Sequence, residues 1–81
     1  MPRSRRTPRQ ARLQDILVSA RAAAGLTQKG LALRLGRPQT FVSKYELGER
    51  RIDVIELLDI CSALGVQPQM LIKELLKVTA R

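Results

Sequence analysis

Apolar residues return along this chain every three or four positions and never in alternation, a helical rhythm without a strand in it. Over residues 10–24, Leu13, Ile16, Leu17, Ala20 and Ala24 fall on one stripe, which predicts a first helix. A second starts after Leu26 with Thr27 as N-cap, turns Leu31, Ala32 and Leu35 inward and ends at Gly36. Gly30 inside it costs up to ~1 kcal/mol relative to alanine. A third, short helix covers residues 38–47, with Pro38 in the first turn, where no N–H partner is lost. Asp53 and Glu56 have capping-box spacing and open a fourth, whose inward stripe is Val54, Leu57, Leu58, Cys61 and Leu64. Pro68 opens a fifth, reaching about Val78. Gly25, Gly36, Gly48 and Gly65 each follow an apolar-periodic stretch, where a glycine commonly ends a helix. The expectation is an all-α domain of five helices over residues 10–79.

Composition narrows what such a domain does. Eighty-one residues make one domain with a small core, which dimerisation would help to stabilise. The net charge is +8, and it is unevenly spread. Twelve of the fifteen basic residues but only three of the seven acids lie in residues 1–51; the remainder is nearly neutral. A basic front suits a polyanionic partner. Phe41 and Tyr45 are the only aromatics, which argues against a stacking platform for single strands. Cys61 is a lone cysteine on an apolar stripe, so it reads as a core residue in a reducing compartment. With no histidine and no nucleophile–base pair, neither a metal or cofactor site nor an enzyme is expected. No apolar run approaches the length of a membrane span, and a cytoplasmic location is expected. Residues 1–9, with four arginines and two prolines, read as a flexible basic arm.

Two short helices joined by a tight turn at residues 36–38 are the geometry of a helix-turn-helix, here spanning residues 28–47. In that unit the first helix rests across the DNA backbone and the second enters the major groove. The second must therefore be apolar on one side and hydrogen-bonding on the other. At 100° per residue Val42 faces the core with Phe41 and Tyr45 on its flank. Gln39, Thr40, Ser43, Lys44 and Leu47 cover the opposite arc. Glutamine can pair with adenine, lysine can donate to guanine, and serine or threonine can serve several bases.

The run Gly25-Leu26-Thr27-Gln28, Leu31-Ala32 and Leu35-Gly36, then Gln39 to Glu46 and Gly48, resembles the Cro/phage-repressor family of helix-turn-helix regulators. Glu49 to Asp53 and Ala63 to Val66 extend the resemblance, which covers about residues 11–75. It implies a lambda-repressor-like fold that binds double-stranded DNA. It implies that Gln28 bonds a phosphate and braces the first reading residue, and that Gln39 and Thr40 enter the groove first. Ser43 and Lys44 follow one turn later, with Tyr45 between core and backbone. Arg37, in the turn, is grouped with the DNA contacts. Arg21 and Glu46 match a pair that locks the first helix to the third. Leu47 and Gly30 depart from the family pattern, Leu47 because a polar or basic residue is common there.

Arg3, Arg5, Arg6 and Arg9 on the arm are candidates for the duplex backbone or a narrow minor groove, the alternative being a plain solubilising tail. On the fifth helix Leu71, Ile72, Leu75 and Leu76 form an apolar arc wider than one core contact needs. These are the candidate interface of a homodimer, which would set two reading helices ~34 Å apart on a palindromic operator. The expected function is a sequence-specific transcriptional regulator, most simply a repressor. The alternatives are an antitoxin or other regulator of the same fold that binds a protein partner, and nonspecific nucleic-acid binding by charge.

Overall fold

Thr7 begins the first helix. A computed structural model describes residues 7–78, and in it the Thr7 hydroxyl accepts from the Gln10 N–H at 3.1 Å while Pro8 occupies the first turn. Cap and proline together nucleate the helix two residues earlier than expected, so Arg9 belongs to the helix and not to the arm. Five α-helices follow one another: α1 (Pro8–Ala23), α2 (Gln28–Leu35), α3 (Gln39–Leu47), α4 (Val54–Leu64) and α5 (Pro68–Leu76). Among the described residues there is no strand, and no single helix is long and apolar enough to cross a membrane.

Local chemistry sets the ends. Thr27 caps α2 by accepting from the Gly30 N–H at 2.9 Å. A Cβ on residue 30 would lie 3.3 Å from that same hydroxyl oxygen, so glycine there keeps the cap undisturbed. Asp53 and Glu56 form the reciprocal capping box at the start of α4. Pro38 is the N-cap of α3, one position outside the helix, and supplies no side-chain bond to it. Gly36 and Gly48 adopt left-handed backbone at φ +66° and +82°, and each ends its helix where a side chain would be strained.

α2 and α3 pack closely on each other; α1 lies against α3, α4 against α2, and α5 closes over α1 and α4. Their shared centre is Leu17, Leu31, Val42, Ile60, Cys61 and Leu71, all essentially without solvent contact. The inward stripe of α4 is Leu57, Ile60, Cys61 and Leu64, a full i, i+3, i+4, i+7 set. Val54 and Leu58, expected inward, lie on the edge of that stripe and are exposed. On α1, Ala24 follows the last turn in solvent, while Gln14 takes a buried place on the stripe.

The arc on α5 divides differently from expectation. Leu71 is 2% exposed and Leu75 packs against the core, because α5 needs both to seal the bundle. Leu71 is therefore not available to a partner. Ile72 and Leu76 stay exposed, and Met70 and Leu58 join them along one groove between α4 and α5.

Candidate nucleic-acid interface

Helix α3 is held from one side and free on the other. Val42 is fully buried, and Tyr45 and Phe41 bury beside it with rings edge to face, centroids 5.4 Å apart. Gln39, Thr40 and Lys44 are exposed on the opposite face. Ser43 is half-buried, and its hydroxyl donates to the Thr40 carbonyl one turn back at 3.3 Å. These four occupy one side of a helix whose other side cannot rotate away from the core.

The anchor of α3 is an ion pair. Arg21 of α1 meets Glu46 of α3 in a two-pronged contact, Nε to Oε2 at 2.7 Å and Nη2 to Oε1 at 3.1 Å. Both side chains are largely buried, 17% and 6% exposed. The third guanidinium nitrogen, Nη1, donates to the Leu26 carbonyl at 2.9 Å, which ties the α1–α2 turn into the same knot. Bonding to the Glu46 carboxylate raises the guanidinium pKa further above its ordinary value. Gln28, at the start of α2, donates through Nε2 to Glu46 Oε1 at 2.9 Å. Its amide N–H thus braces Glu46, and the brace runs to the back of α3. Gln14 donates to the Glu46 carbonyl at 3.1 Å.

Four of the expected contacts are otherwise engaged, the first being Gln28, whose amide is bonded to Glu46 and not to the first reading residue. Tyr45 is 2% exposed, and burial, with Glu46 nearby, pushes its phenol pKa up; it is a core residue, not a contact to the DNA backbone. Arg9 donates from Nε to the Leu75 carbonyl and from Nη2 to the Val78 carbonyl, both at 3.1 Å. It satisfies the carbonyl end of α5, so it is not a residue of a DNA-contacting arm. Arg37 lies over the Phe41 ring with Cζ 3.9 Å from the centroid and meets Glu56 at 3.3 Å. Its guanidinium is already paired in the free protein. Arg3, Arg5 and Arg6 lie outside the described residues.

The second cluster, on the α4 side of α3, went unread in the sequence. Arg50 covers Phe41 at 4.9 Å from Cζ to centroid and grips both Glu56 oxygens at 2.9 and 2.8 Å. Glu56 also accepts the Asp53 N–H at 2.9 Å as part of the capping box. Arg50 first, then that N–H, hold the Glu56 carboxyl down at about 2. The capping spacing announced Glu56, and an aromatic amid arginines was the one signal for the rest.

This arrangement has a family. The helix-turn-helix family profile matches residues 17–71, most of the chain. The chain belongs to the Cro/repressor-like helix-turn-helix family. Among solved structures, this helix-turn-helix protein is 56% identical to an XRE-family like protein from Pseudomonas syringae pv. tomato, over 84% of this chain and 83% of that one, with a TM-score of 0.81. It is 26% identical to the clp gene regulator ClgR from C. glutamicum, covering 89% and 92% at a TM-score of 0.76. The fold also matches the restriction-modification controller protein C.Esp1396I, solved as a tetramer with its natural 35 base-pair operator, at 22% identity, 89% and 95% coverage and a TM-score of 0.78. No protein with a curated description matches significantly. Family membership makes the helix-turn-helix chain a DNA-binding regulator of transcription.

Proposed function

We propose that the chain binds a specific double-stranded DNA sequence as a cytoplasmic homodimer and represses transcription by occluding a promoter. One observation carries this reading: α3 presents Gln39, Thr40, Ser43 and Lys44 on one side while Val42 and Tyr45 fix its other side in the core. A helix so held can enter a major groove and meet base edges in a defined register. Gln39 suits the two-bond pattern of adenine, and Lys44 suits the acceptors of guanine. Pro38 offers no side-chain capping oxygen and its carbonyl takes only the Phe41 N–H, which leaves the Gln39 and Thr40 N–H groups suited to a backbone phosphate. The basic residues of the first half, Arg3, Arg5 and Arg6 among them, add general attraction to the duplex.

The groove of Leu58, Met70, Ile72 and Leu76 supports pairing of two copies. A two-fold contact there covers exposed apolar surface on both and gives the operator its symmetry. The C.Esp1396I controller protein, solved as a tetramer on its operator, is a relative in fold that works in multiple copies.

In-vitro selection of bound DNA, followed by titration against random sequence at physiological salt, tests the reading. An inverted repeat with half-sites about one helical turn apart, preferred by ~10³ or more, is the expected outcome. Gln39→Ala should cost about 1–3 kcal/mol on that site and relax the preference at one base pair of each half. Equal affinity for selected and random DNA would reduce the protein to a charge-driven binder.

A further inference from the structure

One residue of the reading face has no use for a hydrogen bond. Leu47, in the last turn of α3, is 65% exposed. It stands one turn beyond Ser43 and two beyond Thr40, at i+4 and i+7, so it continues the same stripe. On an ideal helix it falls inside the arc bounded by Gln39 and Lys44, about 12 Å along the axis from Gln39.

Its position is also fixed. Glu46 before it is held at its carboxylate by Arg21 and Gln28 and at its carbonyl by Gln14. Gly48 after it is locked in left-handed backbone, with the Gln14 amide at the distance where a Cβ would collide. A leucine is thus presented outward between two anchored residues. Tyr45 and Val42 prevent α3 from rolling to cover it.

Leucine can bond neither a phosphate oxygen nor the polar edge of a base. The major groove offers one apolar recognition element, the C5 methyl of thymine. We infer that Leu47 is a specificity-determining residue that reads a thymine methyl, at a base pair other than the one met by Gln39. The inference rests on the groove-reading function proposed above. Along α3 the neighbours on its stripe are the polar Thr40, Ser43 and Lys44, which ties Leu47 to the same surface that meets the bases and not to the apolar groove between α4 and α5.

Deoxyuridine differs from thymidine only by that methyl, which makes it the probe. Each thymine of the selected operator is replaced singly by deoxyuridine, and binding is measured for the full-length wild type, Leu47→Ala and Leu47→Gln. One position per half-site should weaken wild-type binding about fourfold, the value of one buried methyl. At that position neither variant should lose anything further, whereas substitutions at the Gln39-dependent base should affect all three proteins alike. Circular dichroism checks that the variants fold, which the exposure of Leu47 favours. A wild type indifferent to every deoxyuridine, or a Leu47→Ala that keeps the wild-type pattern, would overturn the inference while leaving a Gln39-dependent site, and groove reading, intact. Failure of selection to yield any preferred site would remove both together.

Discussion

Two carboxylates, one on the reading helix and one on α4, each gather donors from other residues. Glu46 takes Arg21 and Gln28 on the α1–α2 side; Glu56 takes Arg50, Arg37 and the Asp53 N–H on the α4 side. The bonding patterns are similar and the surroundings are not. Glu46 and Arg21 are 6% and 17% exposed and join residues 25 apart in sequence. Glu56 is 13% exposed, but its two arginines are 39% exposed, and Arg50 lies only six residues away. Water and salt reach the second cluster and barely reach the first. A buried pair contributes little net energy as a whole yet is expensive to leave half-made. An exposed pair contributes little and is replaced by water when broken. The first cluster therefore decides whether α3 stays on the domain, while the second orders the segment that follows it.

The largest test removes one half of the buried pair. Glu46→Ala should lower unfolding stability by about 3 kcal/mol, because Arg21 and Gln28 lose their acceptor inside the fold. Urea denaturation measures it, and a loss under about 1 kcal/mol would make Glu46 energetically a surface residue after all. Next comes the glycine beside that pair. Gly48→Ala combines left-handed backbone with a Cβ 2.9 Å from Gln14 Oε1, whereas Gly36→Ala meets nothing within 4 Å. Backbone strain alone costs about 1 kcal/mol at either site, and the collision should bring Gly48→Ala to about 2 kcal/mol. Equal losses would show that Gln14 yields freely.

The smallest effect belongs to the exposed cluster. Glu56→Gln should cost up to about 1 kcal/mol at neutral pH, mostly as lost charge pairing with Arg50 and Arg37, because a glutamine oxygen can still accept the Asp53 N–H. Glu56 sits at about 2 in the fold against an ordinary value of 4.5. A carboxyl lowered by folding stabilises above its unfolded value and loses that contribution as pH falls through the folded one. The wild type should thus lose its advantage over Glu56→Gln between about pH 5 and pH 2, and also in molar salt. An advantage that survives molar salt would place the cluster with the buried pair.

The helices were legible in the sequence because each has its own punctuation. Thr27, the Asp53–Glu56 box, Pro68 and the glycines act within one turn of themselves, so no distant contact is needed to read them. Rotation of a helix about its axis is different. Whether Val54 or Ile60 faces inward on α4, and whether Leu71 or Ile72 does on α5, depends on what the neighbouring helix offers. The same holds for arginines. Arg9, Arg37 and Arg50 are alike in sequence, and only the assembled fold determines which meets a carbonyl, a ring or a carboxylate. Gln14 was hidden for a related reason: a polar side chain on an apolar stripe makes sense only once the Glu46 carbonyl is beside it.

The bonds from Arg9 to the end of α5, with Arg12 meeting Glu74 at 3.4 Å, have a consequence for topology. They bring the start of the first helix to the finish of the last, so the described chain is nearly a ring. A short linker could close that ring and allow it to be cut elsewhere, for instance between α3 and α4. Helix order would then be a matter of where the cut falls, and the reading helix could be placed first or last in a new protein without rebuilding the bundle beneath it.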